Sequence, residues 1–562
     1  MLQDREASVR QRIRKLGEER FLPRLWNRDP ALWTHDSSAG QSIRNRLGWL
    51  ALSSDVQSAL PRLDDLASSL SREGFADVVV LGMGGSSLCP EVLRRTFPKR
   101  ADRPSLQVLD STDPGAIRRL AAGLEIGRTF FLVSSKSGTT TETLCFHRYF
   151  SDCLEKAGVG DPGRRFAAIT DPGSPLEDLA RRRGFREIFL NPSDIGGRYS
   201  ALSFFGLVPA DLAGIDLGAL LRGAERMIAA HAPDRNPEDV PGIVLGAVLA
   251  EMALAGRDKI TLIASSPIES FGIWAEQLLA ESTGKQGKGL IPVAGEPLAE
   301  PAVYGADRLF VALLLPGEDP GTERALRDLE AAGQPVVVLR IDEPLDLGAE
   351  FYRWEVATAV AGSILGINPF DEPNVKESKD NTEAILKAHG ESGAFPEEEP
   401  AAREDDLALF MTGEESRAHD VGEALGRFLG RIQPGDYFGI QAYAAPGKAE
   451  EEALDRIREA VRRKFRVATT VGFGPRYLHS TGQLHKGGPA TGVFLQITAD
   501  DGADLLIPGE SYGFSVLERA QALGDLNSLR KKGRRVLRAH VGEPGSGLKR
   551  MADLTERVVR TL

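Results

Sequence analysis

The sequence holds a run of hydroxyls around one lysine, Ser135-Lys136-Ser137-Gly138-Thr139-Thr140. An apolar strand pattern, Phe130 to Val133, precedes it, and a helical pattern follows. The first turn of a helix offers free N–H groups and the positive end of its dipole, which favour an anion. The hydroxyls would add donors. Plain helix capping needs one hydroxyl, and this segment offers several beside a lysine. The glycine-lysine spacing of a nucleotide P-loop is absent. A second strand-to-helix turn, Gly82-Met83-Gly84-Gly85-Ser86-Ser87, permits close backbone approach to a ligand. A dinucleotide fingerprint would need glycine at position 87, which is Ser. Two such turns on one parallel sheet would face the same edge, where α/β sheets bind ligands.

Four further segments carry candidate chemistry. Gly196-Gly197-Arg198 puts a permanently charged fork after two glycines, suited to an oxyanion; the plain alternative is a solvated surface turn. Gln277 and Glu281 lie one helical turn apart near the end of an apolar helix, where a partly buried carboxylate could act as a general base. Asn368-Pro-Phe-Asp371-Glu372-Pro precedes Lys376 and Lys379, again one turn apart. A late glycine-rich loop, Arg476 to Pro489, holds His479 and His485, which could shuttle protons. No carboxylate or cysteine stands near enough in sequence to suggest a metal, and no metal or cofactor is expected.

These residues need elements to position them. Short apolar runs at Val78–Leu81, Leu106–Leu109, Phe130–Val133, Phe166–Ile169 and Glu187–Leu190 alternate with helical stretches. The rhythm returns at Lys259–Ile263, Leu309–Leu315 and Val336–Ile341, and again at Tyr437–Ile440, Val467–Val471 and Gly492–Ile497. A charged helical stretch is expected from Leu517 to Arg535. The fold class is therefore α/β: two doubly wound parallel-sheet domains, α/β/α sandwiches, with a helical N-terminal segment and a C-terminal α/β region. The expected boundaries are 1–72 for the helical lead-in, 73–225 and 240–390 for the two domains, 391–406 for an acidic linker, and 407–562 for the C-terminal region. No chemistry is expected in the lead-in. No internal sequence repeat is evident.

Composition narrows the class. The chain has 562 residues, with 69 Lys and Arg against 80 Asp and Glu, a net charge of -11. That balance disfavours a general nucleic-acid binder. Three cysteines without metal-ligand spacing suggest a reducing compartment. The N-terminus lacks an apolar signal core, and the longest apolar run, Gly242 to Gly256, contains Glu251 and is too short to span a bilayer. A cytoplasmic protein acting on a small molecule, with neither nucleic acid nor membrane as partner, is the expectation.

In their order along the chain, Gly82-Met-Gly-Gly-Ser-Ser-Leu, Ser135-Lys-Ser-Gly-Thr-Thr, Gly197-Arg-Tyr-Ser, Gln277-x3-Glu-Ser-x-Gly-Lys285 and Asn368-Pro-Phe-Asp-x-Pro-x-Val-x3-Lys379 resemble the phosphoglucose isomerase family, built on sugar-isomerase domains. The resemblance covers residues 75 to 390. The late histidine loop resembles the isomerase half of bifunctional transaldolase–phosphoglucose isomerases. Only about 75 residues precede the first strand, too few for a barrel of about 250 residues, so a stand-alone isomerase of that branch is expected. The resemblance implies interconversion of glucose 6-phosphate and fructose 6-phosphate through a cis-enediol(ate), without cofactor. It implies that Ser86, Ser135, Ser137 and Thr140 hold the sugar phosphate, with Gly85, Lys136 and Thr139 beside them and Gln277 lining the site. Glu281 would be the base, Arg198 the partner of the enediolate, and Lys379, with a histidine, the ring-opening group. A homodimer is the family's usual assembly. Alternatives are a dual phosphoglucose/phosphomannose isomerase and a non-catalytic sugar-phosphate-binding regulator.

Two positions depart from the family pattern. Glu372 stands where the family usually has glutamine, and would repel an anionic substrate unless protonated or paired, for instance by a lysine. The family's ring-opening histidine normally lies between the Glu281 and Lys379 motifs, yet no histidine occurs between His231 and His389. His485 or His479 is expected to replace it.

Overall fold

Short β-branched and aromatic runs, each closed by glycine, proline or a helix cap, pair into three sheets. The computed structural model describes residues 5–317, 319–396, 398–411, 418–500 and 502–562; the Lys376 side chain, singled out above, lies outside the described residues. The first sheet contains β1 (Asp77–Gly82), β2 (Ser105–Leu109), β3 (Thr129–Ser134), β4 (Phe166–Thr170) and β5 (Glu187–Leu190), all parallel, in the order β2-β1-β3-β4-β5. The second contains β6 (Lys259–Ala264), β7 (Ile291–Val293), β8 (Arg308–Leu314) and β9 (Val336–Arg340), parallel, in the order β7-β6-β8-β9. The third contains β10 (Ala402–Glu404), β11 (Leu407–Phe410), β12 (Tyr437–Tyr443), β13 (Ala468–Phe473), β14 (Gly492–Ala499) and β15 (Arg535–Val541). Its order is β10-β11-β15-β14-β12-β13, with the first two strands antiparallel.

One strand order thus occurs three times. In each sheet the first parallel strand lies between the second and the third, and the fourth lies beyond the third. Helical crossovers of one hand produce this doubly wound arrangement and leave a crevice at the carboxyl ends of the first and third strands. The repeat is topological, which is why no sequence repeat announces it.

The first two sheets and the N-terminal helices share one apolar core, which runs from Val9 and Ile13 through Val78 and Leu132 to Trp274, Leu309 and Phe370. The third sheet has its own core around Phe438, Leu495 and Leu548. Two smaller clusters join it to the others. Ile507, Phe514 and Leu517 pack against Phe131, Val133 and Phe146 of the first sheet. Leu484 and Phe494 pack with Ala280 and Val293 of the second.

Several expectations change here. The charged helix ends at Lys531, and Arg535–Val541 is a buried strand instead. Its arginines hide the pattern, yet Arg535 pairs with Asp436 and Arg538 with Glu398. The helix Val375–Ser392 runs into the acidic segment, and β10 occupies its far end. The histidine loop is two short helical pieces, a 3-10 turn Arg476–His479 and a helix Gly482–Gly487. Among the described residues no helix is long and apolar enough to cross a membrane.

Candidate active site

The glycine turn after β1 is the hub of the site. A Cβ on Gly85 would lie 2.0 Å from the Gly197 carbonyl oxygen. Glycine is required there so that the turn can abut the backbone of Gly197, next to Arg198. Gly84 has φ +56, and a Cβ there would strike Gln277 Nε2 and the His479 carbonyl, each at 2.9 Å. On its other side, Ser134 Oγ donates to the Ser86 carbonyl at 3.3 Å. Ser86 itself is buried. One turn thus fixes the hydroxyl-rich loop, the arginine and Gln277 relative to one another.

The loop between β3 and the helix Thr141–Lys156 carries its hydroxyls in two pairs. Ser135 Oγ and Thr140 Oγ1 lie 2.9 Å apart, and Ser137 Oγ and Thr139 Oγ1 3.0 Å apart. Ser137 and Thr139 are exposed, Thr140 half-buried and Ser135 buried. Thr140, the residue at the head of the helix, makes no side-chain capping bond. The loop therefore presents hydroxyls beside an uncapped helix start, an arrangement that suits an anion. Lys136 does not face that way. Its ammonium pairs with Asp171 and donates to the Ser193 carbonyl at 3.1 Å.

Arg198 is the centre of the chemical end. Its side chain is 4% exposed, so the reading as a solvated turn fails. Nε donates to Ser282 Oγ at 2.8 Å, and Nη2 to the carbonyls of Pro369 and Asp371 at 2.9 and 2.8 Å. Nη1 sits 3.0 Å from Glu372 Oε2 and 3.4 Å from Glu281 Oε1. Glu281 lies in the last turn of the helix Phe271–Thr283, with Oε2 3.1 Å from Gln277 Nε2. That same Nε2 donates to the His479 carbonyl at 2.8 Å.

The two carboxylates respond oppositely to the shared arginine. Burial pushes the Glu281 carboxyl above the usual range, Arg198 opposes this, and Glu372 adds to the rise. Burial would also raise Glu372, but Arg198 and Arg46 together outweigh it and hold Glu372 below the usual range. The closer contact decides: the cation stabilises the charge on Glu372, and the proton is held more tightly on Glu281. Glu372 is thus paired by two arginines, and Lys285 adds a smaller contribution from a distance. Lys285 lies nearby, its ammonium bound to the Asn368 carbonyl and to Asp371, and burial lowers it to about 8.

The two histidines separate clearly. His485 is buried among Tyr437, Tyr477 and Phe494, with Nδ1 3.1 Å from Gln441 Nε2, and burial drives it well below its ordinary value. It faces the third sheet, which corrects its placement in the site. His479 lies at the hub, its carbonyl on Gln277 and its Nε2 2.9 Å from Glu142 Oε1. Glu142 sits in the first turn of the helix behind the hydroxyl loop. Burial would raise its carboxyl, but His479 holds it below the usual range, with a smaller contribution from Lys379. Lys379 is exposed in the second turn of the helix Val375–Ser392.

Sequence reasoning missed Arg46, Glu142, Ser282 and Gln521. Arg46 lies in the lead-in, where no chemistry was expected, and reaches Glu372 at 3.3 Å. Glu142 had a signal, two residues past Thr140 on the same helix. Gln521 had none, since it comes from the third sheet's helix.

Parallel doubly wound sheets, a hydroxyl-rich anion loop and a buried carboxylate beside an arginine define a sugar-isomerase type of α/β protein. A family model described as phosphoglucose isomerase matches residues 69–290. A glucose-6-phosphate isomerase of Rubrobacter xylanophilus is 30% identical over 380 residues, covering 58% of this chain and 86% of that protein. Another, from Symbiobacterium thermophilum, is 31% identical over 395 residues, covering 61% and 87%. Among solved structures, a hypothetical protein of Thermus thermophilus superposes with a TM-score of 0.57 at 26% identity, covering 68% of this chain and 98% of that one. A Chlamydia trachomatis glucose-6-phosphate isomerase shares the fold, with a TM-score of 0.51 at 21% identity over 67% and 79% of the chains. The chain belongs to the phosphoglucose isomerase family.

Proposed function

We propose that the protein is a glucose-6-phosphate isomerase that interconverts glucose 6-phosphate and fructose 6-phosphate through a cis-enediol(ate). The observation that carries this reading is the convergence, on one glycine turn, of the uncapped hydroxyl loop and the Arg198–Glu281 pair. An aldose–ketose isomerisation needs an anchor for the phosphate, one base on one face of the enediol, and a cation near its oxygens. Ser135, Ser137, Thr139 and Thr140 anchor the phosphate, with Ser86 adjacent. Glu281 removes the proton from C2 and returns it to C1; its raised affinity for protons makes it the stronger base. Arg198 stabilises the enediolate. His479, held by Glu142 and assisted by Lys379, moves the proton that opens the ring.

The relatives' names support this reading, and the pairing of Glu372 answers one argument for a non-catalytic regulator, repulsion of an anionic substrate. The test follows glucose 6-phosphate formed from fructose 6-phosphate through a coupled NADPH signal. Wild type turns over, and Glu281→Gln loses most of it; a folded wild type without turnover would sink the assignment. For the histidines, His479→Asn should lower kcat on cyclic substrate by about a hundredfold, while His485→Asn stays within about twofold where it folds. The reverse ranking would return the proton transfer to His485.

A further inference from the structure

His479 reaches the cleft from the third sheet, and a second side chain from that region reaches it as well. Gln521 lies midway along the helix Phe514–Lys531 and is 4% exposed. Its Nε2 donates to Glu142 Oε1 at 2.7 Å, the same oxygen that His479 Nε2 approaches at 2.9 Å. Its Oε1 accepts from Thr112 Oγ1 at 2.8 Å, just beyond the end of β2. An ionised carboxylate only accepts, so the amide must present its NH2 group to Glu142. Thr112 then has one role left, to donate to the amide oxygen. The helix is held in place by Phe514, whose ring stacks on Phe146 of the helix that carries Glu142.

The consequences for His479 are specific. With Glu142 ionised and accepting from Nε2–H, the imidazole is held in one tautomer. Nδ1 becomes the nitrogen free to exchange a proton, and it has no partner among the described residues. Glu142 is buried, which alone would favour its protonated form. A second donor, Gln521 Nε2 on the same oxygen, adds to the hold of His479 and keeps the carboxylate from rotating away.

We propose that Gln521 is a positioning residue for the acid–base step. It clamps Glu142 between the first sheet and the C-terminal region, so that His479 keeps one tautomer and one orientation. The C-terminal α/β region thereby completes the site with two side chains of the same chain. This inference rests on the assignment of proton transfer to His479.

The test uses the full chain with Gln521→Met, which keeps the length and removes the donor, and Gln521→Glu, which puts a second carboxylate against the first. Two carboxylates at that distance cannot both ionise. The expected loss in kcat is about tenfold for the first and about a hundredfold for the second, with KM within about twofold. The ring-nitrogen NMR shifts of His479, assigned through His479→Asn, should report the single Nε2–H tautomer in wild type and a mixture of tautomers in Gln521→Met. Wild-type kcat together with an unchanged single His479 tautomer in either folded variant overturns the proposal, as does a change confined to KM. The NMR tautomer reading tests the clamp whether or not the protein turns over sugar phosphate. Absent wild-type turnover would therefore remove the functional reading while leaving the clamp separately decided.

Discussion

The three sheets share a strand order, yet their crevices differ at the head of the helix that follows the third strand. In the first sheet that helix begins at Thr141, and Thr140 makes no side-chain cap. In the second, Asp319 Oδ1 accepts from Thr322 N–H at 2.9 Å at the head of the helix Pro320–Ala331. In the third, Asp504 Oδ1 accepts from Ser515 N–H at 2.8 Å at the head of the helix Phe514–Lys531. The chain's own carboxylate occupies the place an external anion would take. Topology therefore builds three crevices, and of these three loops only the one before Thr141 brings hydroxyls and no carboxylate to the head of its helix. The other two sheets contribute side chains to it: Gln277 and Glu281 from the second, His479 and Gln521 from the third.

The largest test removes what the second sheet contributes. Glu281→Gln should cut kcat by about 10³–10⁴ with little change in KM, read in the coupled assay. Near-normal kcat would mean that the base lies elsewhere. The next makes the first crevice like the other two. Thr140→Asp places a carboxylate at the head of the uncapped helix, and should lower kcat/KM about a hundredfold through KM while the protein melts at the wild-type temperature or above. Unchanged KM would break the comparison.

A smaller effect sharpens the electrostatics. The base must be deprotonated to act, so activity falls as pH drops through the raised Glu281 value. Glu372→Gln removes the like charge that helps to raise it and leaves Arg198 nearer to Glu281 alone. The acidic limb of the kcat/KM profile should therefore move to lower pH; a limb that stays or rises would contradict the shared-arginine account. The smallest effect is expected at the third crevice. Asp504→Ala should cost about 1 kcal/mol of stability, seen as a lower Tm, and leave kinetics unchanged.

Much of the frame was legible in the sequence. The strands β1 to β6, β8 and β9 follow the apolar runs closely, because each centres on a short apolar run ended by a turn or a helix start. β7 and β15 were not legible: one is three residues long with a proline, and the other alternates arginines with apolar residues. In the site, Ser135, Thr140, Arg198, Gln277 and Glu281 were singled out by type and spacing, while their roles came from the family resemblance. Lys136 and His485 looked equivalent to their neighbours, and only their partners, Asp171 and an aromatic cage, set them apart.

The sequence by itself determined the local chemistry: which segments become strands, which strand ends carry hydroxyls or glycines, and which helix carries a carboxylate near its end. Those properties follow from residue type, periodicity and turn preference within a few positions. The tertiary structure alone decided which charges meet. Glu372 is quiet because Arg46, 326 residues earlier, and Arg198 reach it. His479 rather than His485 enters the cleft because the 3-10 turn that carries it rests on Gly84 and Gln277. Pairing across such separations depends on how three sheets pack, and burial then sets how strongly each pair interacts.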